Sequence, residues 1–299
     1  MKKFLFAVAL TTIFIAGCNE AGQIDPDPVT PDSVKIPIRL SSDISTRATD
    51  NNYESGDQVG IYVVNRVDGE QVQLANSNNH IDNMRFTYDG SQWTPDNEVY
   101  WKDQQTSADF YCYYPYRSAI SDVSALEFSV QEDQSSVAAY KSSDLLYGRT
   151  MDAKPSTDPV HITTKHALSN VIIYVTPGKG YTEESLAAEE ISVFITGVRT
   201  KANLNLSTGA VSAAGEYKEM VPLYENGYWR AIVVPQSLVG AQIVKVRVGS
   251  NEYNLNQTVT FESGKLHTCT IKVNKIGEGV NITIGGWEVD GDDFGGTLE

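Results

Sequence analysis

The stretch Val34-Lys35-Ile36-Pro37-Ile38-Arg39-Leu40-Ser41 alternates apolar with polar residues. A period of two puts Val34, Ile36, Ile38 and Leu40 on one face of a half-buried β-strand. Pro37 has no N–H to give to a ladder, so the strand belongs at an edge or is incompletely paired. The same signal recurs along the chain. Residues 59–64, 84–88, 98–101, 108–114, 126–130 and 160–164 read as strands, with a turn at Asp89-Gly90 and a return through Trp93. So do 168–176, 191–196, 203–206, 228–234, 243–248 and 252–255, the last two flanking a hairpin at Gly249-Ser250-Asn251. His267, Cys269, Ile271 and Val273 share one face of a further strand, and Val280, Ile282 and Ile284 begin a last one. One short helix is expected in 183–190, with Thr182 as its N-cap. Short strands between Gly, Pro and Asn turns predict an all-β chain of sandwiches, not a parallel α/β sheet. The 299 residues suit two of them, over 34–164 and 165–299.

Composition narrows the function. Hydrophobic residues make up 41% and charged residues 20%, enough for a sizeable core. Lys plus Arg is 23 against 38 Asp plus Glu, a net charge of −15, which repels a nucleic-acid backbone. Four His and three Cys leave little for a metal site, and none is expected. Cys112 and Cys269 read as buried free thiols, although export would allow their oxidation.

The front of the chain is a separate object. Lys2 and Lys3 precede an apolar run over 4–15, too short to span a bilayer, so 1–17 reads as an export signal. Ile15-Ala16-Gly17-Cys18 resembles the bacterial lipoprotein signal, which implies cleavage before Cys18 and lipid on that residue. Residues 18–33 are polar, with Pro26, Pro28 and Pro31, and read as an extended tether.

No catalytic constellation stands out, and no enzyme or cofactor is expected. HExxH and G-x-S-x-G are absent. His161 and His166, five apart on a strand, face opposite ways and read as structural. Asp290-Gly291-Asp292-Asp293 lacks the pattern of a calcium loop and reads as a solvated acidic tail. Tyr111, Tyr113, Tyr114 and Tyr116 are of a type that stacks on sugars, but cross-strand packing explains them more simply, as it does Trp93 and Trp101.

Several strings, in order, resemble the fimbrillin-like lipoproteins of Bacteroidetes. They are Gly56-Asp57-Gln58-Val59-Gly60-Ile61, Trp101 with Asp109-Phe110-Tyr111-Cys112-Tyr113-Tyr114-Pro115, Asp144-Leu145-Leu146-Tyr147-Gly148, His166-Ala167-Leu168-Ser169 and Val233-Val234-Pro235-Gln236. The resemblance implies two tandem transthyretin-like β-sandwich domains and a structural or adhesive role in a type V pilus. It implies a lipid-anchored precursor at the outer membrane and cell surface, with other pilus subunits as partners and a glycan or protein as receptor. It also implies removal of a first strand by an Arg-specific protease, and its replacement by a neighbour's strand. Arg47, followed by Ala48, lies in a polar segment just after the first strand and is the expected cut. The removable strand would carry Val34, Ile36, Ile38 and Leu40, worth about 6–12 kcal/mol at roughly 1.5–3 kcal/mol each. Val280, Ile282 and Ile284 are the candidate donor. The alternative is a surface glycan-binding lipoprotein that does not polymerise.

Overall fold

The computed structural model describes residues 35–45, 52–277 and 279–290. In chain order the first half contains β1 (Leu40–Ile44), β2 (Gln58–Asn65), β3 (Ile81–Tyr88), β4 (Trp93–Pro95), β5 (Ala108–Tyr114) and β6 (Leu126–Ser129). A short helix α1 (Val137–Ser142) follows, then β7 (Leu146–Ala153), β8 (Val160–His166) and β9 (Ser169–Pro177). After α2 (Glu183–Ala187) come β10 (Ile191–Leu204), β11 (Val211–Met220), β12 (Leu223–Glu225), β13 (Tyr228–Val233) and β14 (Gln236–Val248). The chain closes with β15 (Asn251–Phe261), β16 (Leu266–Ile276), β17 (Gly279–Ile284) and β18 (Glu288–Asp290).

Among the described residues the strands form three sheets, and the all-β class expected from sequence holds. One has the order β1-β8-β7-β5-β2-β3-β4. The second is β11-β10-β14-β15, with β6 also on β10, and the third is β12-β13-β9-β16-β17, with β18 also on β16. The first sheet draws on strands up to His166, and the other two on strands from Ser169 onward, apart from β6. β6 pairs with β10 through Lys201–Ser129 to Leu204–Leu126, which ties the two halves together.

Two apolar cores result. The larger joins Tyr62, Tyr111 and Tyr113 of the first sheet to Ile195 and Val246 of the second and Ile173 and Ile271 of the third. The smaller lies on the opposite face of the first sheet and holds Val59, Ile61, Phe110 and Cys112 with Trp93 and Trp101. β2 and β5 are thus covered on both faces, which is why their sequences are apolar without alternation.

Some expected boundaries move. The strands expected at 191–196 and 203–206 are one, β10, carried through a register shift that includes Gly197 at φ 64°. α2 forms where expected. Thr182 caps it, and the Ser185 side chain accepts from the Thr182 N–H in return. β7, β11 and α1 were not expected.

Candidate functional site: the first strand and its seat

The first strand is broader and less regular than its alternation predicts. Trp101 N–H donates to the Ile36 carbonyl at 2.9 Å, and Ile38 N–H to the Val99 carbonyl at 2.8 Å. Pro37 bridges Tyr100 between those bonds, at a pair that needs no N–H from it. The segment then changes partner. Val160 N–H donates to the Arg39 carbonyl at 2.8 Å, and Leu40–Ile44 runs parallel to Val160–Thr164 at the sheet's edge. The regular strand is therefore 40–44. The described residues before it, 35–39, form a bridge leading into it, because Pro37 cannot continue a ladder.

Ile38 is 3% exposed and Leu40 7%, and both enter the smaller core beside Val59, Phe110 and Ile162. Ile36 is half-buried against that core. Val34 lies outside the described residues, as do Arg47, Ala48 and Cys18. Among the described residues Ile38 and Leu40 are fully seated, an apolar contribution of about 3–6 kcal/mol, plus a share from Ile36.

Both ends of the segment that carries Arg47 are tied to Thr164. On one side Ser45 N–H donates to the Thr164 carbonyl at 2.7 Å. On the other, the Tyr53 hydroxyl meets Thr164 Oγ1 at 2.8 Å, and Tyr53 stands edge-on to Trp93 with centroids 4.9 Å apart. Burial is the main cause that raises the Tyr53 hydroxyl well above its ordinary pKa, so it stays protonated. Thr164 and Tyr53, with Val99, Val160 and Ile162, build the seat, and sequence reasoning missed them as a set. Parallel pairing of 40–44 with 160–164 leaves no local signal.

The candidate donor residues lie at an edge of the third sheet. Val280, Ile282 and Ile284 of β17 pair with Lys275, Val273 and Ile271 of β16. Ile282 is buried, and the other two are half-buried against the larger core. Tyr253 donates its hydroxyl to the Val280 carbonyl at 2.8 Å.

The remaining candidates are structural. Tyr111 and Tyr113 are buried in the larger core and offer no stacking platform. Tyr113 presses on Gly60, where an added Cβ would lie 2.1 Å from the ring. Tyr114 donates to Asp57 at 3.2 Å, and Tyr116 lies under the Arg85 guanidinium. Cys112 and Cys269 are free and buried, and burial pushes each thiol up to about 12. His166 Nδ1 donates to Asp144 at 2.9 Å, His161 shares a hydrogen bond with Ser41 at 3.1 Å, and His267 Nε2 accepts from the Glu262 N–H at 2.9 Å. Among the described residues no group of three His, Cys, Asp or Glu could hold a metal ion.

Residues 46–287 match a family model described as fimbrillin-like. The chain belongs to the fimbrillin-like family. This fimbrillin-like chain is 28% identical over 302 residues to a candidate fimbrium subunit, Fim1C, of Bacteroides uniformis, across 96% of this chain and 95% of the relative. Among solved structures it is similar to a candidate cell adhesion protein of Bacteroides uniformis, with a TM-score of 0.64 at 20% identity over 85% of this chain and 97% of that one. A candidate cell adhesion protein of Bacteroides ovatus gives a TM-score of 0.68 at 15% identity over 85% and 98%. At such identity these two likenesses speak to the fold alone.

Proposed function

We propose that this fimbrillin-like chain is a fimbrial subunit that joins its neighbours by strand exchange. It is exported with lipid on Cys18 and held at the outer membrane. A cut after Arg47 then frees the segment that ends in β1 and leaves Ala48 as the new N-terminus. The vacated seat takes a strand from another subunit, with Val280, Ile282 and Ile284 as the donor side chains. This is β-strand addition put to assembly. The role is structural and adhesive, with no catalytic step.

The observation that carries this reading is the placement of Ile38 and Leu40. They fill the smaller core from an edge strand, and the Arg47 segment follows that strand directly. Without them the seat presents an apolar floor and the unpaired edge of β8. Any replacement chain with apolar residues at a period of two can restore both. Kinship with a candidate fimbrium subunit along nearly the whole chain supports the same role.

The test is limited digestion of the intact chain with an Arg-specific protease, followed by N-terminal sequencing and a non-boiled gel. Ala48 as the first new N-terminus, and a ladder formed by the cut protein, are expected. Resistance at Arg47 while other Arg sites are cut would sink the processing step. Cut protein that stays monomeric with a second copy and with a 279–290 peptide would sink the exchange.

A further inference from the structure

A groove of about 960 Å³ opens where β7 and β8 run out beyond the larger core. Its floor is the outward row of those two strands, with Tyr147 opposite Lys165 in the register and Arg149 and Thr163 beside them. Turns at Thr208-Gly209 and Ser263-Gly264-Lys265 form its walls. The protein carries a net charge of −15, yet Arg149, Lys165 and Lys265 converge here. Arg149 and Lys165 are exposed, and among the described residues no carboxylate lies within ion-pair distance of either. Asp43, on the rim, lies 3.5 Å from His161 Nε2 instead.

The groove is also held in shape before any ligand arrives. Arg149 Nη1 donates to the Ser207 carbonyl at 2.9 Å, which fixes the guanidinium. The Asn205 side chain accepts from Ser207 N–H and Thr208 N–H and locks that turn. Tyr147 donates to the Leu206 carbonyl at 2.8 Å and packs on Gly209, where a Cβ would lie 2.5 Å from the ring. Rigid placement of this kind lowers the ordering cost of binding.

We propose that this groove binds an acidic saccharide, one bearing carboxylate or sulfate groups. Two exposed cations on adjacent strands, without a carboxylate partner among the described residues, suit two anionic groups on neighbouring sugars. The half-buried Tyr147 ring offers a face to a pyranose, and the Thr163, Thr208 and Ser263 hydroxyls suit sugar hydroxyls. A strand-like acidic peptide fits less well. β7 is paired by β5 and β8, and β8 by β7 and β1, so the floor offers no free backbone edge.

The experiment is calorimetric titration of the intact, uncut chain with a heparin-derived tetrasaccharide at low ionic strength. Maltotetraose and hexaglutamate serve as comparison ligands, so the result is independent of strand exchange. The acidic sugar should bind, weaken with added salt, and exceed both comparison ligands. Lys165→Glu and Arg149→Glu should each lower affinity about tenfold or more. Lys272→Glu, on β16 outside the groove, should leave affinity unchanged, with melting temperatures intact in all three. Absence of binding at low salt, or equal losses from Lys272→Glu and Lys165→Glu, would overturn the site. Hexaglutamate binding as tightly as the tetrasaccharide would overturn the sugar assignment. Because the Lys165 side chain donates no hydrogen bond among the described residues, its variant reports on binding even if Arg149→Glu unsettles the 205–210 turn.

Discussion

A chain that begins at Ala48 should be folded but markedly weakened, and a peptide should repair it. The deletion removes Ile38 and Leu40 from the smaller core, with the half-buried Ile36. Full burial of the first two is worth about 3–6 kcal/mol. A domain is stable by only ~5–15 kcal/mol, so this loss is a large share. With a urea slope of about 3 kcal/mol per molar, the unfolding midpoint should fall by roughly 1–2 M. Adding a synthetic 34–45 peptide at about 100 times its dissociation constant should return ~2.7 kcal/mol. The assay is urea unfolding followed by tryptophan emission, because Trp93 and Trp101 both lie in the affected core. A peptide with Ile38→Asp and Leu40→Asp should restore nothing, since each change would bury a carboxylate without a partner. An unchanged midpoint in the truncated chain, or equal repair by the aspartate peptide, would refute the claim that these two side chains hold the seat.

Cys112 gives an independent readout. It is 2% exposed in the smaller core, and burial holds its thiol up at about 12, so a thiol reagent should not label it in the intact fold. Removal of residues before Ala48 should make it react, and the 34–45 peptide should protect it again, as mass spectrometry can follow. Gly60→Ala should destabilise by about 1–3 kcal/mol, because its Cβ would strike the buried Tyr113 ring; a thermal melt no lower than that of the parent would contradict the packing. His267 is buried, and desolvation lowers its pKa below the usual 6.5. The unfolded chain therefore binds its proton first, so stability is full above about pH 6.5 and falls as pH drops below it. In urea midpoints measured from pH 7.5 to 5, His267→Gln should flatten that decline, and an equal slope in both proteins would assign it elsewhere.

Sequence pattern exposed those parts of the fold whose burial is one- or two-sided in a regular way. β2 and β5 stood out because both their faces are covered, and β8 because burial alternates strictly from Val160 to His166. α2 announced itself through Thr182. β7 did not, because Gly148 and Arg149 break its pattern, and the reason is steric. A Cβ on Gly148 would lie 2.6 Å from the Thr163 carbonyl, so the close approach of β8 demands glycine. β11 was missed because Glu216, Tyr217, Lys218 and Glu219 are all exposed, which breaks any alternation between Val211 and the buried Met220. α1 has a Ser136 cap but Ala139 where a capping-box Glu would sit, and it is only six residues long. The inward residues of the first strand were legible, whereas its partner was not. Nothing local in 35–45 says that it leaves Val99 for Val160.

That change of partner is what makes the first strand separable. An element covered on both faces, such as β5, ties the larger core to the smaller one and could not be withdrawn without opening both. The 36–44 segment is different in kind. Its buried side chains enter the smaller core alone, and no residue of the segment belongs to the larger core. Among the described residues its only ladder is with β8, and its bridge to 99–101 turns on Pro37, which also leaves nothing to donate outward to a stray strand. Withdrawal therefore concentrates its damage in one face of one sheet and spares the interior shared by all three. A body of this design can lose its first strand, persist, and still be driven to fill the gap. The same strand seated across both cores would be as hard to remove as β5, and its loss would unfold the chain instead of opening a seat.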